Sequence, residues 1–105
     1  MMDKIERDGM VAVLVSPGYG AGWSTWNDDE HRAVLCMDAD IVQAVLDGDH
    51  NKAAEIAVQK CNILYTGGAN QLVVEWVKKG AVFEIDEYDG YEALYVIGGR
   101  DYMVA

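Results

Sequence analysis

Three glycines at alternate positions, Gly18, Gly20 and Gly22, lie between Ser16-Pro17 and the run Trp23-Ser24-Thr25-Trp26. After a strand, such a loop lets backbone N–H groups approach a ligand closely, which is the chemistry of an anion cradle. Trp23 and Trp26 add flat apolar faces, and aromatic faces stack on nucleobases at roughly 1–3 kcal/mol per base. Amide donors, the hydroxyls of Ser16, Ser24 and Thr25, the Tyr19 ring and two indoles together suit a small nucleotide-like molecule with a base and a phosphate. Arg100, just after Gly98-Gly99, offers a bidentate guanidinium to the same anion. The same residues could equally form a compact loop whose tryptophans plug the edge of the core. No GKS or GKT follows, the GxGxxG spacing is absent, and no helix opens directly after the loop, so nucleotide triphosphate hydrolysis is not supported.

Other chemistry has weaker support. Ser16, Ser24 and Thr25 are candidate nucleophiles, with His31 and His50 as candidate bases, but no nucleophile-elbow context surrounds them. The carboxylate pairs Asp38/Asp40 and Asp47/Asp49 fall at expected helix ends, where capping accounts for them. Zinc would need His31, Cys36, His50 and Cys61, whose spacing matches no usual site. Cys36 and Cys61 read as buried free thiols of a reducing compartment. The expectation is a non-catalytic chain with no metal and no cofactor.

The elements that must position this loop follow from pattern. The 105 residues allow one domain, 1–105, and are 51% hydrophobic and 25% charged, a globular composition. Met10-Val11-Ala12-Val13-Leu14-Val15 reads as a central strand, ended by Ser16-Pro17-Gly18. Asn27 with Glu30 resembles a capping box before a short helix to about residue 37. Asp38 or Asp40 caps a second helix that stops at Gly48, and residues 49–51 open a third carrying Ala53, Ala57 and Cys61 on one stripe. The period then changes to two. Residues 72–77, 81–88 and 91–97 read as strands, the last two joined by Asp89-Gly90, and residues 102–104 add a short edge strand. The fold class expected is α+β, with a mainly antiparallel sheet of four or five strands and about three short helices between strand 1 and a C-terminal meander.

Pairing across Asp89-Gly90 sets Tyr88 opposite Tyr91, Asp86 opposite Ala93, Glu84 opposite Tyr95 and Val82 opposite Ile97. Phe83, Ile85, Leu94 and Val96 take the other face, with Glu87 facing Glu92 near the turn. One face is therefore core. The other presents Tyr88, Tyr91 and Tyr95 beside Glu84 and Asp86, a candidate interaction surface, because tyrosines supply amphipathic contact area.

The formal charge is −10, from 18 acidic and 8 basic residues. A field of that sign repels nucleic acid and anionic membrane, so neither is expected as a direct partner. It either keeps the protein soluble or imitates a nucleic-acid backbone on a basic groove of another protein. Of the cations, Arg32, Lys78, Lys79 and Arg100 could meet an anion near the loop or the sheet end. No apolar run approaches the roughly 20 residues that cross a bilayer, and the first seven residues carry no signal-peptide pattern.

The segment Val13-Leu14-Val15-Ser16-Pro17-Gly18-Tyr19-Gly20-Ala21-Gly22-Trp23-Ser24-Thr25-Trp26 resembles a loop of small bacteriophage-encoded proteins of unassigned function. Val74-Glu75-Trp76-Val77-Lys78-Lys79-Gly80, then Phe83-Glu84-Ile85 and Glu87-Tyr88-Asp89-Gly90, is similar to the same group's C-terminal meander, departing from it at Tyr91, where the group has serine. The resemblance implies a phage context, the cytoplasm of an infected bacterial cell and counter-defence. Two functions are then expected. The first is non-catalytic sequestration of a nucleotide-like immune signal by the 16–26 loop, in a homo-oligomer. The second is an acidic, anti-CRISPR-like inhibitor that docks Glu84, Asp86 and Asp89 on a host defence nuclease complex.

Overall fold

In a computed structural model of the chain, residues 2–20, 22–63, 65–96 and 103–105 are described. Asp8 and Gly9 take positive φ (53° and 76°) and fold β1 (Glu6–Arg7) back onto β2 (Met10–Val15). Asp89 and Gly90 (51° and 86°) do the same for β4 (Val82–Tyr88) and β5 (Tyr91–Val96). Two consecutive positive φ values make the turn that matches strand twist, and Asp-Gly tolerates them. Only the second hairpin is anticipated above; the Asp8-Gly9 signal was equally present.

The chain is α+β and its strand pairs are antiparallel, with three helices inserted between β2 and the later strands. The strands divide between two three-stranded sheets: β1-β2-β3, where β3 is Val73–Lys78, and β5-β4-β6, where β6 is Met103–Val104. The reason lies in β2, which is buried on both faces. Ala12 and Leu14 pack with the helices, whereas Val11, Val13 and Val15 pack with Cys36, Met37, Phe83 and Ile85. Each fully buried Val or Leu contributes about 1.5–3 kcal/mol. A strand apolar on both sides needs a layer on each, so the second sheet, together with the helix that carries Cys36 and Met37, covers the face opposite Ala12 and Leu14.

The helices are α1 (Arg32–Met37), α2 (Ala39–Leu46) and α3 (His50–Cys61). Asp38 caps α2 by accepting from the N–H groups of Asp40 and Ile41, and Asp49 caps α3 through Lys52 N–H. Lys60, in the last turn of α3, bonds Asp38 at 2.9 Å and Asp40 at 2.8 Å, tying the two helices together. These hydrogen bonds hold the Lys60 pKa up and the Asp40 pKa down. Asp40 is exposed, so solvent screens that pair.

Asn27 does not cap. Its amide donates to the carbonyls of Trp23 (2.8 Å) and Tyr65 (3.1 Å), two short 3-10 turns (Ser24–Trp26 and Asp29–His31) precede α1, and Asp28 takes the cap position of the second. On the hairpin's inner face Phe83 and Ile85 are buried as expected, but Val96 is 61% exposed. Among the described residues no helix is long and apolar enough to cross a membrane.

Candidate interaction surface

The amide cradle of the glycine loop exists, and a carboxylate of the chain itself fills it. Glu92 on β5 is 1% exposed. Its Oε1 accepts from Ser16 N–H at 3.0 Å, and its Oε2 accepts from Trp23 N–H (2.8 Å), Thr25 N–H (3.1 Å) and the Thr25 hydroxyl (2.6 Å). In return, Glu92 N–H donates to the Ser16 carbonyl at 2.9 Å. A buried charge persists only when paired or fully hydrogen-bonded, and these four donors supply that. The bonds run from residue 92 back to residues 16–25, so they fasten the loop to the hairpin.

The expected ligand residues therefore take other roles. Trp23 is fully buried, its indole N–H donating to the Leu35 carbonyl at 2.8 Å. This is a correction: it plugs the core and offers no ligand face. Ser16 and Ser24 are buried as well. Gly22 is required by packing, since a Cβ there would lie 2.6 Å from Cγ of Trp26. Gly18 approaches the Gln71 side chain, where a Cβ would meet Cγ at 3.0 Å. Gly20 N–H donates to the Asp89 carbonyl at the hairpin turn. Arg100 lies outside the described residues, as do Gly98, Gly99 and Ile97. Of the loop aromatics, Tyr19 and Trp26 reach solvent.

Tyr19 joins the hairpin's outer face, and Trp26 does not. Tyr19 lies against Tyr91 with ring centroids 5.1 Å apart, and Trp26 lies against Tyr65 at 5.1 Å. The Tyr65 hydroxyl sits 3.4 Å from the Gly20 carbonyl, so the two aromatic pairs flank one backbone segment. Along the sheet, Tyr88 pairs with Tyr91, Asp86 with Ala93 and Glu84 with Tyr95, the register expected. Tyr88 is 77% exposed, and Tyr91, Tyr95 and Asp86 are also exposed. Glu84 shares a depression with Asp29 and Glu30, which brings carboxylates from two distant segments to one side. The result is a band of tyrosines edged with acids.

Among the described residues no ion pair reaches Glu84 or Asp86. Arg32 bonds Asp29 at 2.8 Å, and Lys79 pairs with Glu6 at 3.2 Å, beside the first hairpin. Of the candidate nucleophiles and bases, Thr25 is committed to Glu92, and the His50 ring bonds the Leu72 carbonyl at 3.1 Å.

Both cysteines are buried free thiols. Burial pushes the Cys36 thiol up from 9.0 to about 12, with the Glu92 charge adding to the rise and the Ser24 hydroxyl and Arg32 opposing it. A thiol that keeps its proton in the native state favours folding below pH 9.0, and that contribution is lost as pH rises toward about 12. Between pH 9 and 10 the urea midpoint of the native sequence should fall by an extra loss of about 1 kcal/mol relative to Cys36→Ala. Parallel alkaline limbs for the two proteins would refute the shift.

No protein-family model matches the chain, and no curated protein or solved structure is significantly similar to it. The site must be read from its own geometry. Sequence reasoning missed Glu92 as a functional position, although an acid on the core face of a strand was itself the signal. It also missed Tyr65, which no local pattern marks.

Proposed function

We propose that the chain is a non-catalytic binding protein that docks its tyrosine-and-carboxylate surface onto a basic face of another protein. In the phage context the resemblance implies, it would be a counter-defence factor in the infected bacterial cytoplasm, occupying a groove that normally holds nucleic acid. The observation that carries this reading is the exposed band of Tyr19, Tyr88, Tyr91 and Tyr95 beside Glu84 and Asp86, on a chain of net charge −10. Tyrosine provides rigid contact area, and surrounding acids steer a basic partner and reject nucleic acid.

The nucleotide reading is less well supported, because the N–H groups of Ser16, Trp23 and Thr25 already bond Glu92. It predicts a rise in melting temperature with some member of a panel of cyclic and linear nucleotides. The docking reading predicts none. Immobilised chain incubated with bacterial lysate should retain a nucleic-acid-binding protein that duplex nucleic acid displaces. Affinity for it should fall at least about tenfold as salt rises from roughly 50 to 200 mM, since exposed charges are screened beyond about 8–10 Å. Asp86→Lys should weaken binding about tenfold, and sedimentation of the chain alone will report whether the same face pairs two copies. Capture that is indifferent to salt and to Asp86→Lys rules the docking reading out.

A further inference from the structure

A recess of about 380 Å3 opens beside the loop, lined by Trp26, Asn27, Asp28, His31, Asn62 and Tyr65. One face of the Trp26 indole rests on Gly22, the residue is 39% exposed, and Tyr65 tilts across the ring at 55°. Asp28 has no ion pair or side-chain hydrogen bond among the described residues. Glu30 adds a second carboxylate 3.9 Å from Nε2 of His31, and ligand atoms of Asp28, Glu30 and His31 lie within 4.8 Å of one another. Arg32, the nearest cation in sequence, is held by Asp29. An aromatic wall next to the unpaired Asp28 carboxylate disfavours an anion and suits a flat cation. The volume falls in the range of small-molecule sites, roughly 300–1,000 Å3.

We propose that this recess binds an alkylguanidinium, stacked on Trp26 and paired with Asp28. Guanidinium fits better than ammonium because it is planar, less strongly hydrated and able to stack on an indole while forking toward a carboxylate. The source is either an arginine side chain of a docked protein or a free guanidino compound. The proposal rests on the docking reading only for the first of these.

The test follows the indole N–H resonances of the 15N-labelled chain during titration with N-acetyl-arginine amide, N-acetyl-lysine amide and the uncharged N-acetyl-citrulline amide. The Trp26 signal should move saturably with the arginine probe, about threefold less tightly with the lysine probe, and not with citrulline. The signals of Trp23 and Trp76 should stay in place. Asp28→Asn should weaken the arginine probe roughly three- to tenfold. Equal responses to arginine and citrulline, or shifts common to all three indoles, overturn the proposal. So does a response to zinc chloride without one to the arginine probe, which assigns Asp28, Glu30 and His31 to a metal. An arginine response that persists while Asp86→Lys leaves partner capture unchanged upholds the recess and removes the docking reading. Capture sensitive to Asp86→Lys with no arginine response does the reverse.

Discussion

Glu92→Ala should lower the free energy of unfolding by about 3–5 kcal/mol, read from the urea midpoint at neutral pH. Four donors lose their acceptor: the N–H groups of Ser16, Trp23 and Thr25, and the Thr25 hydroxyl. A hydrogen bond to a charged group is worth about 1.5–3 kcal/mol, and a buried donor left without a partner costs about 1–3 kcal/mol. These contributions share one carboxylate and do not add in full. Domains of this kind are stable by only about 5–15 kcal/mol, so the variant should sit near its limit. Glu92→Gln keeps the shape but turns an amide N–H2 toward the donors, and should lose roughly half as much. A loss under about 1 kcal/mol for Glu92→Ala would mean that the loop amides have another acceptor. The same change reaches function. Releasing residues 16–25 from β5 frees Tyr19 from Tyr91, and a surface that must be ordered on binding binds less tightly. Partner affinity of Glu92→Gln should therefore drop even where the protein remains folded.

The second large effect separates two tryptophans three residues apart. Trp23→Ala should destabilise by about 3–5 kcal/mol, because a fully buried indole leaves a cavity and strands the Leu35 carbonyl. Trp26→Ala should cost about 1 kcal/mol or less, since its ring is partly in solvent and its contacts are with Gly22 and Tyr65. Binding should reverse the order: Trp26→Ala removes the arginine-probe response, whereas a conservative Trp23→Phe leaves it in place. Equal losses of stability for the two alanine variants would contradict the burial on which the site assignment depends.

Local chemistry made much of this molecule legible from its sequence. The Asp89-Gly90 turn can adopt two positive φ values cheaply, and once it does, the pairing from Tyr88–Tyr91 back to Glu84–Tyr95 has no freedom left. The Asp38 and Asp49 caps are equally local, as each carboxylate reaches amides two or three residues on. Glycine alternation marked a loop of close backbone approach, yet the amides that meet a carboxylate are those of Ser16, Trp23 and Thr25, not those of the glycines. What pattern could not supply was the anion. Glu92 lies 67 to 76 residues from its donors, and periodicity places it on the inner face without saying what meets it there. Which of Trp23 and Trp26 turns inward was likewise settled by packing against Leu35, and the meeting of Trp26 with Tyr65 by a contact across 39 positions of chain, as their numbers show. Turns, caps and strand faces depend on neighbours along the chain, and the residues themselves dictate them. Burial of a charge and exposure of an indole depend on distant partners, and only the folded arrangement decides those.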